Sequence, residues 1–239
     1  MALVDEIRCL AERTQADLVA THDHYAYTKR VWRLIQELVN KEGRTFTFRN
    51  PTTGTRVGEQ ELLEKAQVYV TDYLPSSTFQ HLVSLFEVFF FELLRLWLVA
   101  HPESLAEKTV TTREVLKAPD KRALVLAVVE KELKNQSYEG PKEWFEYLTK
   151  RIRFNLPPDV IEKLIEIKAS RDILAHNNGI ANATYVRKAG AHARHQEGEK
   201  LEIPERYLRE SWETIKLAVG DVSTAAITKS SRSTPPTAP

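Results

Sequence analysis

Residues 158–179, PDVIEKLIEIKASRDILAHNNG, decide how the chain is read. Apolar side chains at Val160, Leu164, Ile167 and Leu174 recur at helical spacing, so a single helix is predicted over 158–176 with that stripe facing a core. Asn177-Asn178-Gly179 ends it, because Asn and Gly tolerate the left-handed backbone that closes a helix C-terminus. Arg171 falls on the apolar stripe. A guanidinium does not shed its charge, so at such a position it needs an anionic partner or a solvated cleft. His176 falls in the last turn, where the negative end of the helix dipole favours a positive charge, and Asp172, four residues earlier on the same face, is expected to hydrogen-bond its ring. On a regular helix Arg171 and His176 point about 140° apart, so they converge only where the helix bends or stops.

Outward from this segment the pattern stays helical. Thr78 to Ala100 carries Leu82, Leu85, Phe86, Phe89, Phe90, Leu93, Leu94 and Trp97 over more than one face, the signature of a buried central helix. Pro75-Ser76-Ser77 reads as the break and cap before it. Further helices are predicted at 103–117, 120–136, 141–153 and 204–224, the last with Tyr207, Leu208, Trp212, Ile215 and Val219 inward. Residues 2–41 read as one or two helices, with Leu3, Ile7 and Leu10 on one stripe and Val31, Ile35 and Leu38 on another. His22-Asp23-His24 is read as their junction. As a metal pair, His22 and His24 lack a third ligand at a recognisable spacing. Around the turn Asn50-Pro51-Thr52-Thr53-Gly54, residues 45–57 alternate as a short β-hairpin does. The expected architecture is therefore all-α: an antiparallel helical bundle over 75–226, an N-terminal helical extension over 1–74 carrying the hairpin, and a disordered tail over 227–239, rich in Ser, Thr and Pro.

Composition narrows the class. The 239 residues are 42% hydrophobic and 28% charged, with 34 Lys and Arg against 33 Asp and Glu, which is globular and nearly neutral. A net charge of +1 excludes coating of nucleic acid by bulk electrostatics, so any RNA site must be local. One cysteine, Cys9, excludes an intramolecular disulfide framework and a Cys-based zinc cluster. The acidic start, Met1 to Glu6, does not read as a secretory signal, and the apolar run 82–100 is broken by Glu87, Glu92 and Arg95. A cytoplasmic, membrane-free protein is the expectation.

An Arg, a polar residue, three further positions and a His at the end of a helix, continued as His-Asn-Asn-Gly, resemble the R-x4-6-H motif of the HEPN superfamily. The resemblance spans roughly residues 75–223. It implies a small antiparallel bundle, a homodimer that brings two motifs together, and metal-independent endoribonuclease activity with no cofactor. It also implies a prokaryotic toxin or antiviral defence role, with an antitoxin or other protein as a possible further partner. Asn178 stands where HEPN toxins silenced through a tyrosine carry that tyrosine. The residue types suit the chemistry: cleavage through the RNA 2′-hydroxyl needs a base, an acid and a cation on the phosphorane. Arg171 is assigned to the phosphate, His176 to proton transfer, and Asp172 and Asn177 to support. The alternative is a non-catalytic HEPN-like module binding RNA, nucleotide or a partner protein.

Between Ile173 and Gln196 there is no acidic residue, while Arg187, Lys188 and Arg194 supply cations. Tyr185 lies among them. These four are predicted to contact RNA, Tyr185 by stacking on a base and the cations through phosphates; a solvated loop is the competing expectation.

Overall fold

A computed structural model describes residues 2–42, 48–105, 107–154 and 156–233. Helix α1 spans Leu3–Glu42, followed by strands β1 (Phe48–Arg49) and β2 (Arg56–Val57) and helices α2 (Glu59–Val68), α3 (Leu74–Ala100), α4 (Thr112–Lys117), α5 (Lys121–Ser137), α6 (Pro141–Ile152), α7 (Pro158–His176), α8 (Ala183–Ala189) and α9 (Glu205–Ser233). The protein is predominantly helical, as its periodicity predicts. Among the described residues no helix is long and apolar enough to cross a membrane.

Helix α3 is the hub. Its Phe79, Leu82, Val83, Phe86, Phe89, Phe90, Leu93, Leu94, Trp97 and Leu98 are all buried, and α1, α5, α7 and α9 pack around it. A helix apolar on nearly every face must be enclosed in this way. Phe90 stacks on Trp144 and meets Phe145 edge-on, at centroid distances of 5.4 and 5.9 Å, which ties α6 to the hub. Buried Ile7, Leu10, Leu18 and Tyr25 of α1 belong to the same core, and Trp212 Nε1 of α9 donates to the Leu18 carbonyl at 3.0 Å.

Several expectations are corrected. His22-Asp23-His24 is not a junction but lies within the unbroken α1, where His22 stacks on Trp212 at 4.1 Å. Pro75-Ser76-Ser77 does not break the chain: α2 runs through a widened π turn at Tyr69–Tyr73 straight into α3, with Pro75 buried. The wide turn supplies the room a proline ring needs inside a helix. The segment predicted at 103–117 is a 3-10 turn at Pro102–Leu105 followed by the short α4, which starts at a capping box between Thr111 and Glu114. The tail is helical to Ser233, because Ala226 and Ser230 are buried against the bundle; residues 234–239 lie outside the described part. The hairpin is present in part, with Phe48 opposite Val57 and Arg49 opposite Arg56, and residues 43–47 lie outside the described part. Its turn is closed by the Asn50 side chain, whose Oδ1 accepts from the amides of Thr52 and Thr53 at 2.9 and 3.2 Å.

Candidate functional site

Helix α7 positions the motif. It runs Pro158–His176, the range its periodicity predicts, and Asn178 and Gly179 follow with φ of 50° and 75°. The amides of Asn177 and Gly179 both close on the Ile173 carbonyl at 3.0 and 3.1 Å. The chain then reverses: Leu201 donates to the Gly179 carbonyl at 2.7 Å and Ala181 to that of Glu199 at 2.9 Å. This clamp holds α8 beside the end of α7. Asn182 caps α8 by accepting from the Tyr185 amide at 2.9 Å.

Between the two helices lies an open depression of about 360 Å³ lined by Arg171, Asp172, His176, Asn177, Lys168 and Lys188, among others. Arg171 and His176 thus border one cavity although the helix is regular up to His176, because the chain stop leaves the end of α7 uncovered. A second depression of about 520 Å³ shares Lys168, Arg171, Asp172 and Lys188 and adds Glu87, Glu92 and Glu139. The shared side chains form the wall between a cation-rich and a carboxylate-rich hollow.

Arg171 has the anionic partners its position demands. Its Nη1 lies 3.2 Å from Asp172 and its Nη2 3.5 Å from Glu87, with 23% of its side chain exposed. Lys168 completes the group, 3.0 Å from Glu87 and paired with Asp172. Asp172 therefore does not orient His176, which corrects the expectation of a carboxylate–imidazole pair: two neighbouring cations take the carboxylate first. His176 is exposed and makes no hydrogen bond among the described residues. The side-chain amide of Asn177 donates to the Ile180 carbonyl, so its support is to the shape of the turn.

The segment after the motif is a folded element. Tyr185 is 1% exposed, so it stacks on no base; its hydroxyl donates to Glu166 Oε1 at 3.1 Å and accepts from the Arg194 amide at 3.1 Å. The Arg194 guanidinium lies 3.3 Å over the Tyr207 ring and donates to Glu166 at 3.2 Å and to the Glu202 carbonyl at 3.1 Å. Tyr185 and Arg194 are thereby corrected from RNA contacts to structural ones. Arg187 and Lys188 are exposed on α8, and of these two Lys188 borders the depression.

What the sequence did not single out is Glu166, buried at 3%. Besides Tyr185 and Arg194 it accepts from Ser170 and Tyr207, each at 2.6 Å. A carboxylate is tolerated inside a core when its lone pairs are this fully met. Burial and the neighbouring Glu166 charge push the phenols of Tyr185 and Tyr207 above the usual tyrosine range, Tyr207 well above it. The available signal is that Glu166 shares the buried face with Ser170 and Ile173, four and seven residues further on.

No protein-family model, curated protein or solved structure matches this chain.

Proposed function

We propose that the protein is an endoribonuclease that cleaves RNA at the α7 end without a metal, through attack of the ribose 2′-oxygen on the adjacent phosphorus. The observation that carries the reading is that Arg171, His176 and Lys188 border one solvent-open depression, in which three cations, Lys168 included, face the single carboxylate of Asp172. Arg171 receives the phosphate through its planar fork of donors. Its present partners are Asp172 and Glu87, and the guanidinium stays open to solvent on the side of the depression, where a phosphate can compete with them. His176 moves the proton, as its exposure permits. The 2′-hydroxyl gives up its proton as its oxygen bonds to phosphorus, the bond to the 5′-oxygen breaks, and that oxygen leaves with a proton. The ends are a 2′,3′-cyclic phosphate and a 5′-hydroxyl. By resemblance the role is that of a prokaryotic toxin or defence effector, and the single cysteine points to a cytoplasmic setting.

A second reading, a non-catalytic module that holds RNA, nucleotide or a partner protein in the same depression, is favoured by His176 meeting no carboxylate among the described residues. Incubation of single-stranded RNA with the protein in EDTA separates the two. Cleavage to 2′,3′-cyclic ends supports the enzyme. RNA binding that survives His176→Ala, with no products from the wild type, supports the module.

A further inference from the structure

The second half of α1 carries an apolar stripe on its solvent side. Tyr27, Val31, Leu34 and Leu38 are 72%, 54%, 40% and 48% exposed, and their spacing of four, three and four residues is that of the core positions of a coiled coil. At about 100° per residue they fall within roughly 60° of one another. Tyr25, Lys29, Trp32 and Val39, which face the bundle as buried or half-buried side chains, lie on the opposite side. The helix is thus apolar on two opposed faces, of which the fold uses one. A solvated helix face has no physical need for four large apolar side chains in line.

We propose that this stripe is a self-association surface on which a second copy of the chain docks its own α1 antiparallel, Tyr27 against Leu38 and Val31 against Leu34. The charges select this arrangement. Arg30 and Glu37 flank the stripe on the same edge, both are exposed, and neither makes an ion pair within the chain among the described residues. In the antiparallel register just given, Arg30 of each copy meets Glu37 of the other, twice by symmetry. A slip of one heptad in one direction sets Arg30 against Arg30; in the other direction it sets Glu37 against Glu37. A parallel pairing brings no opposite charges together on these edges, since the partner positions five residues on, 35 and 42, are Ile and Glu. The contact covers about 17 Å of helix at about 1.5 Å per residue, which is small for a stable interface, so the dimer is expected to dissociate in the micromolar range. The surface is distinct from the depression at the end of α7 and leaves that depression open.

Sedimentation of the full chain tests this. The wild type is expected to dimerise in the micromolar range, and Val31→Glu with Leu34→Glu to be monomeric with an unchanged thermal midpoint, since both positions are exposed. Arg30→Glu is expected to weaken the dimer at least about tenfold by making both flanking contacts repulsive, and Arg30→Glu with Glu37→Arg to restore it. A wild type that stays monomeric at about 200 µM overturns the proposal. So does a dimer that survives the Val31/Leu34 change, which would place the interface elsewhere, or a charge swap that fails to restore association.

Discussion

Five residues apart on α7 stand two polar clusters, one closed around a carboxylate and one open around a guanidinium, and they are put to opposite uses. Around Glu166, four donors from α7, α8, α9 and the intervening loop converge on a carboxylate only 3% exposed. Around Arg171, two cations and two carboxylates share partly exposed contacts beside an open depression. Burial makes the first cluster obligatory, because removing one partner leaves the others desolvated and unpaired. The open depression makes the second exchangeable, since water or a phosphate can reach its cations there. A charged group on a helix is thus assigned to structure or to binding by what the rest of the fold brings to it.

The contrast breaks most sharply at Glu166. Glu166→Ala is expected to lower the unfolding free energy by about 3–5 kcal/mol, read by urea denaturation; a loss no larger than that of Arg171→Ala would erase the distinction. Tyr207→Phe removes one of the four donors and is expected to cost about 1–2 kcal/mol in the same measurement. The pH dependence sharpens the comparison further. Burial, then the neighbouring Arg194 charge, holds the His195 ring below the usual imidazole range, and the Glu202 amide donates to its Nε2 at 3.5 Å, which the neutral ring accepts. The depressed folded value means that this contribution is complete above the unfolded value of about 6.5 and is lost as the pH falls through the lower folded value. Thermal midpoints measured downward from pH 7 are expected to fall more steeply for the wild type than for His195→Gln. At the other cluster, Lys188→Ala is expected to leave stability unchanged while lowering the salt dependence of single-stranded RNA binding by about 0.7 in log–log slope, the share of one phosphate contact.

The helices were largely legible in the sequence, and the reasons differ by element. The end of α7 could be read to the residue because Asn178 and Gly179 signal their own backbone, and α3 because its aromatic density leaves no face for water. The continuity from α2 into α3 was hidden: Pro75 reads as a break, and the π turn that accommodates it has no sequence mark of its own. The end of α9 was hidden because Ser and Thr near residue 230 carry no apolar pattern, though Ala226 still packs. For the site, Arg171 announced its need for partners and found them. Tyr185 and Arg194 misled, because a window without acids reads as free positive charge, whereas the acid they meet, Glu166, lies nineteen and twenty-eight positions earlier in the chain. Local charge counts do not register partners delivered by the fold.

The division of α7 is tested most directly by measuring RNA cleavage in EDTA and the thermal midpoint on the same preparations of wild type, Arg171→Ala and His176→Ala. Cleavage by the wild type and its loss in both variants are expected, with a stability loss for Arg171→Ala well below that of Glu166→Ala and a change within about 0.5 kcal/mol for His176→Ala. Variants that unfold, or that cut RNA as well as the wild type does, would contradict it.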